Sequence, residues 1–139
     1  MFRAIFLAVA LTITAPAAAQ AQPAAGPDTV ADRFFSLVRG GDVQKAYGDV
    51  GRGTLMEQKK AELQNVANQT TSALQIYGKV VDWELISEDK WSPSYLVRNY
   101  LLRTDRGPIF FNLHLFRSVN GWVIGNISFT DIPANVKRP

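Results

Sequence analysis

The first half of the chain spaces its apolar residues about 3.6 positions apart, as amphipathic helices do. This pattern predicts three helices, over residues 28–39, 42–50 and 54–74. Gly40 and Gly41 end the first helix, and the Gly51 to Gly53 stretch ends the second. Each helix begins at a residue whose side chain can cap free amides. The predicted capping residues are Asp28, Asp42 and Thr54.

After Gly78 the pattern changes to segments rich in β-branched and aromatic residues. These segments predict four strands, over 80–86, 95–104, 109–117 and 122–130. The Asn120-Gly121 pair is a strong signal for the hairpin between the last two strands. Because the helices precede the strands, the expected class is α+β, with three helices packed on one face of a curved antiparallel sheet of about four strands.

The hairpin also predicts which residues share a face of the sheet. With Asn-Gly as a two-residue loop, Val119 faces Trp122 and Arg117 faces Ile124. One face then carries Ile109, Phe111, Leu113, Leu115, Trp122 and Ile124. The other carries Phe110, Asn112, His114, Phe116, Val123, Ile127 and Phe129. Neither face is polar, so both need a cover. The helices cover one face. For the other face a homodimer through the sheet is expected, and the alternative is that the C-terminal tail or the N-terminal leader covers it.

The N-terminus has the three parts of a secretory signal peptide. Arg3 is basic, residues 4–15 are apolar apart from two threonines, and small residues follow at 17–21. The apolar run is shorter than the roughly 20 residues that a membrane span needs. The expected organisation is a signal peptide over 1–21, a flexible leader over 22–27, one domain over 28–132 and a tail over 133–139. It implies a periplasmic or secreted protein with no membrane span after signal removal.

Composition excludes several kinds of site. The chain has no cysteine and a single histidine, so no disulfide, cysteine nucleophile or multi-histidine metal site is expected. It also has no glycine-rich phosphate loop, and no cofactor is expected. The formal net charge is +3, and loss of Arg3 with the signal leaves 14 basic against 12 acidic residues. These basic residues are scattered, which is not typical of a protein that binds nucleic acid.

Three segments carry a resemblance to a known superfamily. They are a helix followed by a Gly-Gly-Asp step and a second helix (34–47), the Tyr-Gly-Lys-Val opening of the sheet (77–80) and the closing hairpin (120–125). This order resembles the nuclear-transport-factor-2-like superfamily, a cystatin-like cone, and within it small exported bacterial proteins of unknown function. The resemblance covers about residues 28–131. It implies an apolar pocket between helices and sheet, and it leaves the activity open.

Five residues are candidates for a ligand site. If residues 105–107 form a three-residue loop, Arg98 faces His114 and Tyr100 faces Asn112. Such a polar patch could orient an anionic or carbonyl ligand. A four-residue loop shifts the pairing by one position and dissolves the patch. Tyr47 could line the same pocket, although large aromatic residues are more often part of the core.

Three classes of function are therefore open. The first is an exported, non-catalytic module that binds a small apolar or amphipathic molecule. The second is a structural or interaction protein that dimerises through its sheet face. The third, an isomerase or dehydratase, is less favoured. The acidic residues that the resemblance implies for isomerase chemistry cannot be placed, because no acid falls in an apolar strand centre. The dehydratase chemistry that the resemblance implies would need a second histidine besides His114.

Overall fold

The computed structural model describes residues 24–136 and 138–139. The predicted signal peptide and the first two leader residues lie outside the described residues. The helices are α1 (Pro27–Arg39), α2 (Val43–Gly51) and α3 (Lys60–Tyr77). The strands are β1 (Val80–Ser92), β2 (Tyr95–Thr104), β3 (Pro108–Ser118) and β4 (Gly121–Thr130). Short 3-10 helices cover Leu55–Lys59 and Pro133–Asn135.

The predicted α+β class and element order are confirmed. The sheet is an antiparallel meander of order β1-β2-β3-β4, curved and not closed, with the helices on one face. β1 is longer than predicted and reaches Ser92, because Lys90 still pairs with Leu96 across the hairpin. It also carries one extra residue at each of three positions, Val81, Ile86 and Trp91, where the register with β2 shifts.

The three predicted helix caps have different outcomes. Thr54 does accept a hydrogen bond from the amide of Met56 at 3.1 Å, and it opens the 3-10 turn before α3. Asp42 is the N-cap residue of α2, as predicted, but its side chain makes no capping hydrogen bond. The N-cap of α1 is Gly26, and Asp28 lies in its first turn. The carboxylate of Asp28 instead bonds Arg98, because a charged partner binds it more strongly than a backbone amide does.

The predicted β3–β4 register is also wrong. Ser118 pairs with Gly121 and Arg117 with Trp122, so Val119 and Asn120 form the turn. Gly121 has a φ of +113° and takes up the left-handed conformation after the turn, as the first residue of β4. The hydrogen bond from the Ser118 hydroxyl to the Gly121 carbonyl, 2.8 Å long, closes this geometry.

A bulge in β4 corrects the predicted faces of the sheet. Leu115 pairs with Ile124, but His114 pairs with Asn126, so Gly125 is an extra residue. Beyond the extra residue, each side chain of β4 lies on the face of the sheet opposite to the one that an unbroken alternation would give it. Ile127 and Phe129 therefore lie on the helix-facing side, opposite to the prediction, where Ile127 pairs with Leu113 and is buried.

The core lies between the helices and this face of the sheet, and Phe35 is at its centre. Phe35 is fully buried, with its ring 5.5 Å from that of Phe111 and 5.0 Å from that of Tyr100. It also stacks on Trp83 at 5.7 Å, and the indole N–H of Trp83 donates to Asp32 at 2.9 Å. Helix α1 is therefore held on the sheet by aromatic packing together with hydrogen bonds.

The outer face of the sheet is covered only in part. Asn99 and Asn112 hydrogen-bond side by side across it at 2.8 Å, and Asn99 is buried. Asn135 and Val136 from the C-terminal segment line a hollow of about 170 Å³ over this row together with Phe110. This contact favours the tail as a cover for that part of the face. The predicted homodimer stays a prediction.

Candidate functional site

A groove of about 280 Å³ lies between α1, α2 and the start of β4. Most of its wall is apolar, and several of its wall residues also belong to the core. The apolar lining residues are Ala25, Val30, Phe34, Leu37, Ala46, Val50, Trp122, Val123 and Ile124. A largely apolar concave surface with a few polar groups is the usual form of a small-molecule site. The volume falls just below the range of about 300–1,000 Å³ typical of such sites, which limits the ligand to a small one.

Helical spacing places one charged residue of each helix on the groove side. On α1, Arg33 lies three positions after Val30, and both line the groove. On α2, Asp49 lies three positions after Ala46, and both line it too. Residues three or four apart share a face of a helix, so these charges stand beside the apolar wall. Arg52 follows directly after α2 as its C-cap.

These three charged residues form the rim of the groove. The Arg33 guanidinium donates to Asp49 Oδ2 at 3.0 Å, and Arg52 Nη2 lies 3.3 Å from Asp49 Oδ1. The two arginine side chains are 69% and 76% exposed, whereas the Asp49 side chain is 14% exposed. One carboxylate thus balances two cations, and the rim keeps a net positive charge.

The structure separates the residues of the predicted polar patch. Arg98 pairs with Leu113 and Tyr100 with Phe111, which is the register of the four-residue loop. Arg98 and Tyr100 therefore lie on the helix-facing side of the sheet, whereas Asn112 and His114 lie on the outer side. The single patch expected from a three-residue loop does not form, because the longer loop moves every β2 side chain by one position.

Arg98 is a buried link between α1, β1 and β2. Its Nη1 donates to Asp28 at 2.7 Å and to the Tyr100 hydroxyl at 3.3 Å, and its Nε donates to Glu88 at 2.6 Å. Burial lowers the pKa of Arg98, but its hydrogen bonds to Tyr100, Asp28 and Glu88 outweigh burial and raise the pKa above its usual value. Burial raises the pKa of Tyr100. This guanidinium is used to hold the fold together.

His114 belongs to an aromatic cluster on the outer face. Its Nδ1 is 2.7 Å from the Tyr95 hydroxyl, and its ring meets the Trp91 ring edge to face at 6.2 Å. Trp91 also stacks on Tyr95 at 5.3 Å. Burial lowers the pKa of His114 and so favours the neutral imidazole.

Tyr47 is a core residue whose hydroxyl is already paired. It is 1% exposed, and its hydroxyl lies 2.7 Å from Thr70 Oγ1 on α3. Burial raises the pKa of Tyr47 to about 12, although the bond to Thr70 lowers it. The hydroxyl therefore stays protonated and links α2 to α3.

None of the three charged residues of the rim was predicted from the sequence as a site residue. A signal for two of them was present, since Arg33 and Asp49 interrupt the apolar stripes of their helices at i+3 positions. Arg52 carried no such signal, because it lies after the end of its helix. Only the packing of α2 against α1 brings the three side chains together.

The described residues contain neither a candidate metal site nor a candidate membrane-spanning helix. Within residues 24–136, no cluster of three or more histidine, aspartate or glutamate side chains could hold a metal ion. No helix in the same part of the chain combines the length and apolar character needed to cross a membrane.

Comparisons with known proteins identify the fold. No family model and no curated protein matches this sequence. A solved structure from Campylobacter jejuni, whose name reads NTF2-like transpeptidase, superposes with a TM-score of 0.58 at 15% identity, over 73% of this chain and 99% of that one.

A second solved structure, from Thiobacillus denitrificans ATCC 25259, is named as a calcium/calmodulin-dependent protein kinase type II association domain. It gives a TM-score of 0.53 at 13% identity, over 77% of this chain and 95% of that one. At this identity the likeness concerns the backbone, and it agrees with the resemblance seen in the sequence. The chain therefore has the fold of the nuclear-transport-factor-2-like superfamily.

Proposed function

We propose that this protein is a non-catalytic binding module that holds a small apolar or amphipathic molecule in the groove between α1, α2 and β4. Residues 1–21 lead us to expect that the module is exported. The observation that carries the proposal is the groove itself, with its apolar wall and its charged rim of Arg33, Asp49 and Arg52. Burying a ligand against the half-buried side chains of Val30, Leu37 and Trp122 would supply affinity, at about 25 cal/mol per Å² of apolar area before the costs of association.

The state of the other polar side chains supports a binding role. A catalytic acid or base needs a pKa near the working pH and access to substrate. The hydroxyl of Tyr47 bonds Thr70 and has a pKa of about 12. Arg98 bonds two carboxylates within the fold. These groups are occupied with structural partners rather than held ready for proton transfer.

Filling the groove should weaken binding. In Val30→Trp the larger side chain would occupy the space beside Phe34, so the affinity for decyl alcohol should fall about tenfold or more. The measurement is a titration followed by amide chemical shifts, which also maps the site. Val81→Trp is the matched control, since Val81 is 49% exposed on β1, outside the groove. Equal affinity of both variants and the parent protein would contradict the proposed site.

A second candidate function is self-assembly through the outer face of the sheet. It is favoured by Trp91 and Phe116, which are 68% and 46% exposed on that side. Large exposed hydrophobic residues are typical of interaction surfaces. Trp91 is also stacked on Tyr95, so it presents a rigid aromatic ring at little entropic cost.

Sedimentation measurements at high micromolar concentration would test this assembly. We expect a dimer that the double variant Trp91→Ser/Phe116→Ser converts to a monomer, with about a tenfold or larger rise in the dissociation constant. Leu55→Ser is the control, because Leu55 is 79% exposed on the 3-10 helix before α3. A parent protein that stays monomeric at that concentration would rule the homodimer out.

A further inference from the structure

We infer that the ligand of the groove is an amphiphile with one short apolar chain or ring system and an anionic head, a carboxylate, sulfate or phosphate, held by Arg33 and Arg52. The inference rests on the proposed function, because it names the class of molecule that the same groove would take. It adds a charge and an orientation for the bound ligand. The apolar part lies along Val30, Leu37 and Trp122, and the head lies at the rim.

The charge balance of the rim favours an anionic head. Two guanidinium groups share the single carboxylate of Asp49, at 3.0 and 3.3 Å. An anion entering between the arginines would meet net positive charge and would leave the rim close to neutral. A cationic head would have to compete with both arginines for Asp49, whose side chain is only 14% exposed.

Several hydrogen-bond donors of the two rim arginines are available to an anionic head. A guanidinium has five N–H donors, and the Asp49 carboxylate accepts a hydrogen bond from one terminal nitrogen of Arg33 and forms an ion pair with one of Arg52. Both arginine side chains are more than two thirds exposed, so their other donors face solvent. Planar guanidinium groups bind carboxylate and phosphate oxygens with paired, charge-assisted hydrogen bonds. The anchoring of both arginines by Asp49 reduces the freedom that ligand binding would otherwise remove.

The size of the groove limits the apolar part of the ligand. A groove of about 280 Å³ has room for one short chain or a small ring system, and not for the two long chains of a membrane lipid. The anionic head therefore belongs to a free amphiphile with a single apolar part. Recognition of a diacyl lipid surface is the competing source of the same chemistry.

Three probes with the same apolar chain test the inference: decanoate, decyl alcohol and decylammonium. We expect decanoate to bind the full chain about fivefold or more tightly than the alcohol, and decylammonium to bind most weakly. The preference for decanoate should shrink as salt is raised, since the rim is exposed. Vesicles of dioleoylphosphatidylglycerol form the fourth arm and should not bind.

Variants of the rim make the assignment specific. Arg33→Gln/Arg52→Gln should erase the preference for decanoate over decyl alcohol, whereas Arg106→Gln, in the β2–β3 turn, should keep it. Asp49→Asn retains both arginines and should keep or increase the preference. The double variant leaves the largely buried Asp49 carboxylate without its arginine partners, which destabilises the fold. Asp49→Asn removes that carboxylate, so it tests the preference for decanoate even if the double variant folds poorly.

The outcomes separate the inference from the proposed function. Equal binding of the three decyl probes in the groove would overturn the anionic class and leave the binding module standing. A preference for decylammonium, or binding of vesicles without binding of decanoate, would also overturn it. Failure of all probes to bind the protein would overturn both the inference and the proposed function.

Discussion

Replacing Phe35 with alanine should lower the free energy of unfolding by about 3–5 kcal/mol, the loss typical of a fully buried phenylalanine. Phe35 is 0% exposed, and its ring packs against Phe34, Trp83, Tyr100 and Phe111. The cavity would open between α1 and three different strands. Because the surrounding rings belong to separate elements, the structure cannot collapse into it easily, and the cost should lie toward the upper end.

Chemical denaturation followed by circular dichroism would measure this loss. Phe116→Ala is the matched control, since Phe116 is a phenylalanine on the opposite face of the sheet and is 46% exposed. Its loss should be less than half as large, measured at a concentration low enough to exclude self-association. Similar losses for the two variants would mean that Phe35 is not the centre of the core.

Replacing Arg98 with methionine should cost about 2–4 kcal/mol, the second-largest effect that we expect. Methionine keeps much of the apolar stem but removes the hydrogen bonds to Asp28 and Glu88. It also leaves the buried hydroxyl of Tyr100 without this partner, which alone costs about 1–3 kcal/mol. Helix α1 would lose a polar anchor to the sheet near its N-terminus.

Arg103→Met provides a close control for Arg98→Met. Arg103 also lies on β2 and also bonds a carboxylate of β1, that of Asp82, but its side chain is 51% exposed. An exposed ion pair contributes about 0–1 kcal/mol, so this variant should unfold at nearly the same denaturant concentration as the parent. If the two variants lose equal stability, burial is not what makes Arg98 important.

The helices and the order of the strands could be predicted because their signals are local. Apolar spacing, the Gly40-Gly41 stop and the Asn120-Gly121 hairpin signal each act within a few residues. The strand register could not be predicted with the same success. It depends on the conformation of Gly121 and on the single extra residue Gly125, neither of which alters the composition of β4.

The site was harder to predict than the fold, for a related reason. Arg98 and His114 are neighbours in the register of the three-residue loop and lie on opposite faces in the register that the structure has. A shift of one residue therefore decides whether the polar patch forms. The rim of the groove depends on tertiary packing, since Arg33 and Asp49 are 16 residues apart and on different helices. Periodicity can place each on a helix face, but it cannot say that the two faces meet.

The irregular pairing of β1 has a consequence for the behaviour of the protein at high concentration. β1 is a 13-residue strand at the edge of the sheet, and a long edge strand is a ready template for a strand of another molecule. The extra residues Val81, Ile86 and Trp91 interrupt its register at three points. An incoming regular strand could match only short stretches between them, so the edge resists the edge-to-edge growth that leads to fibrils.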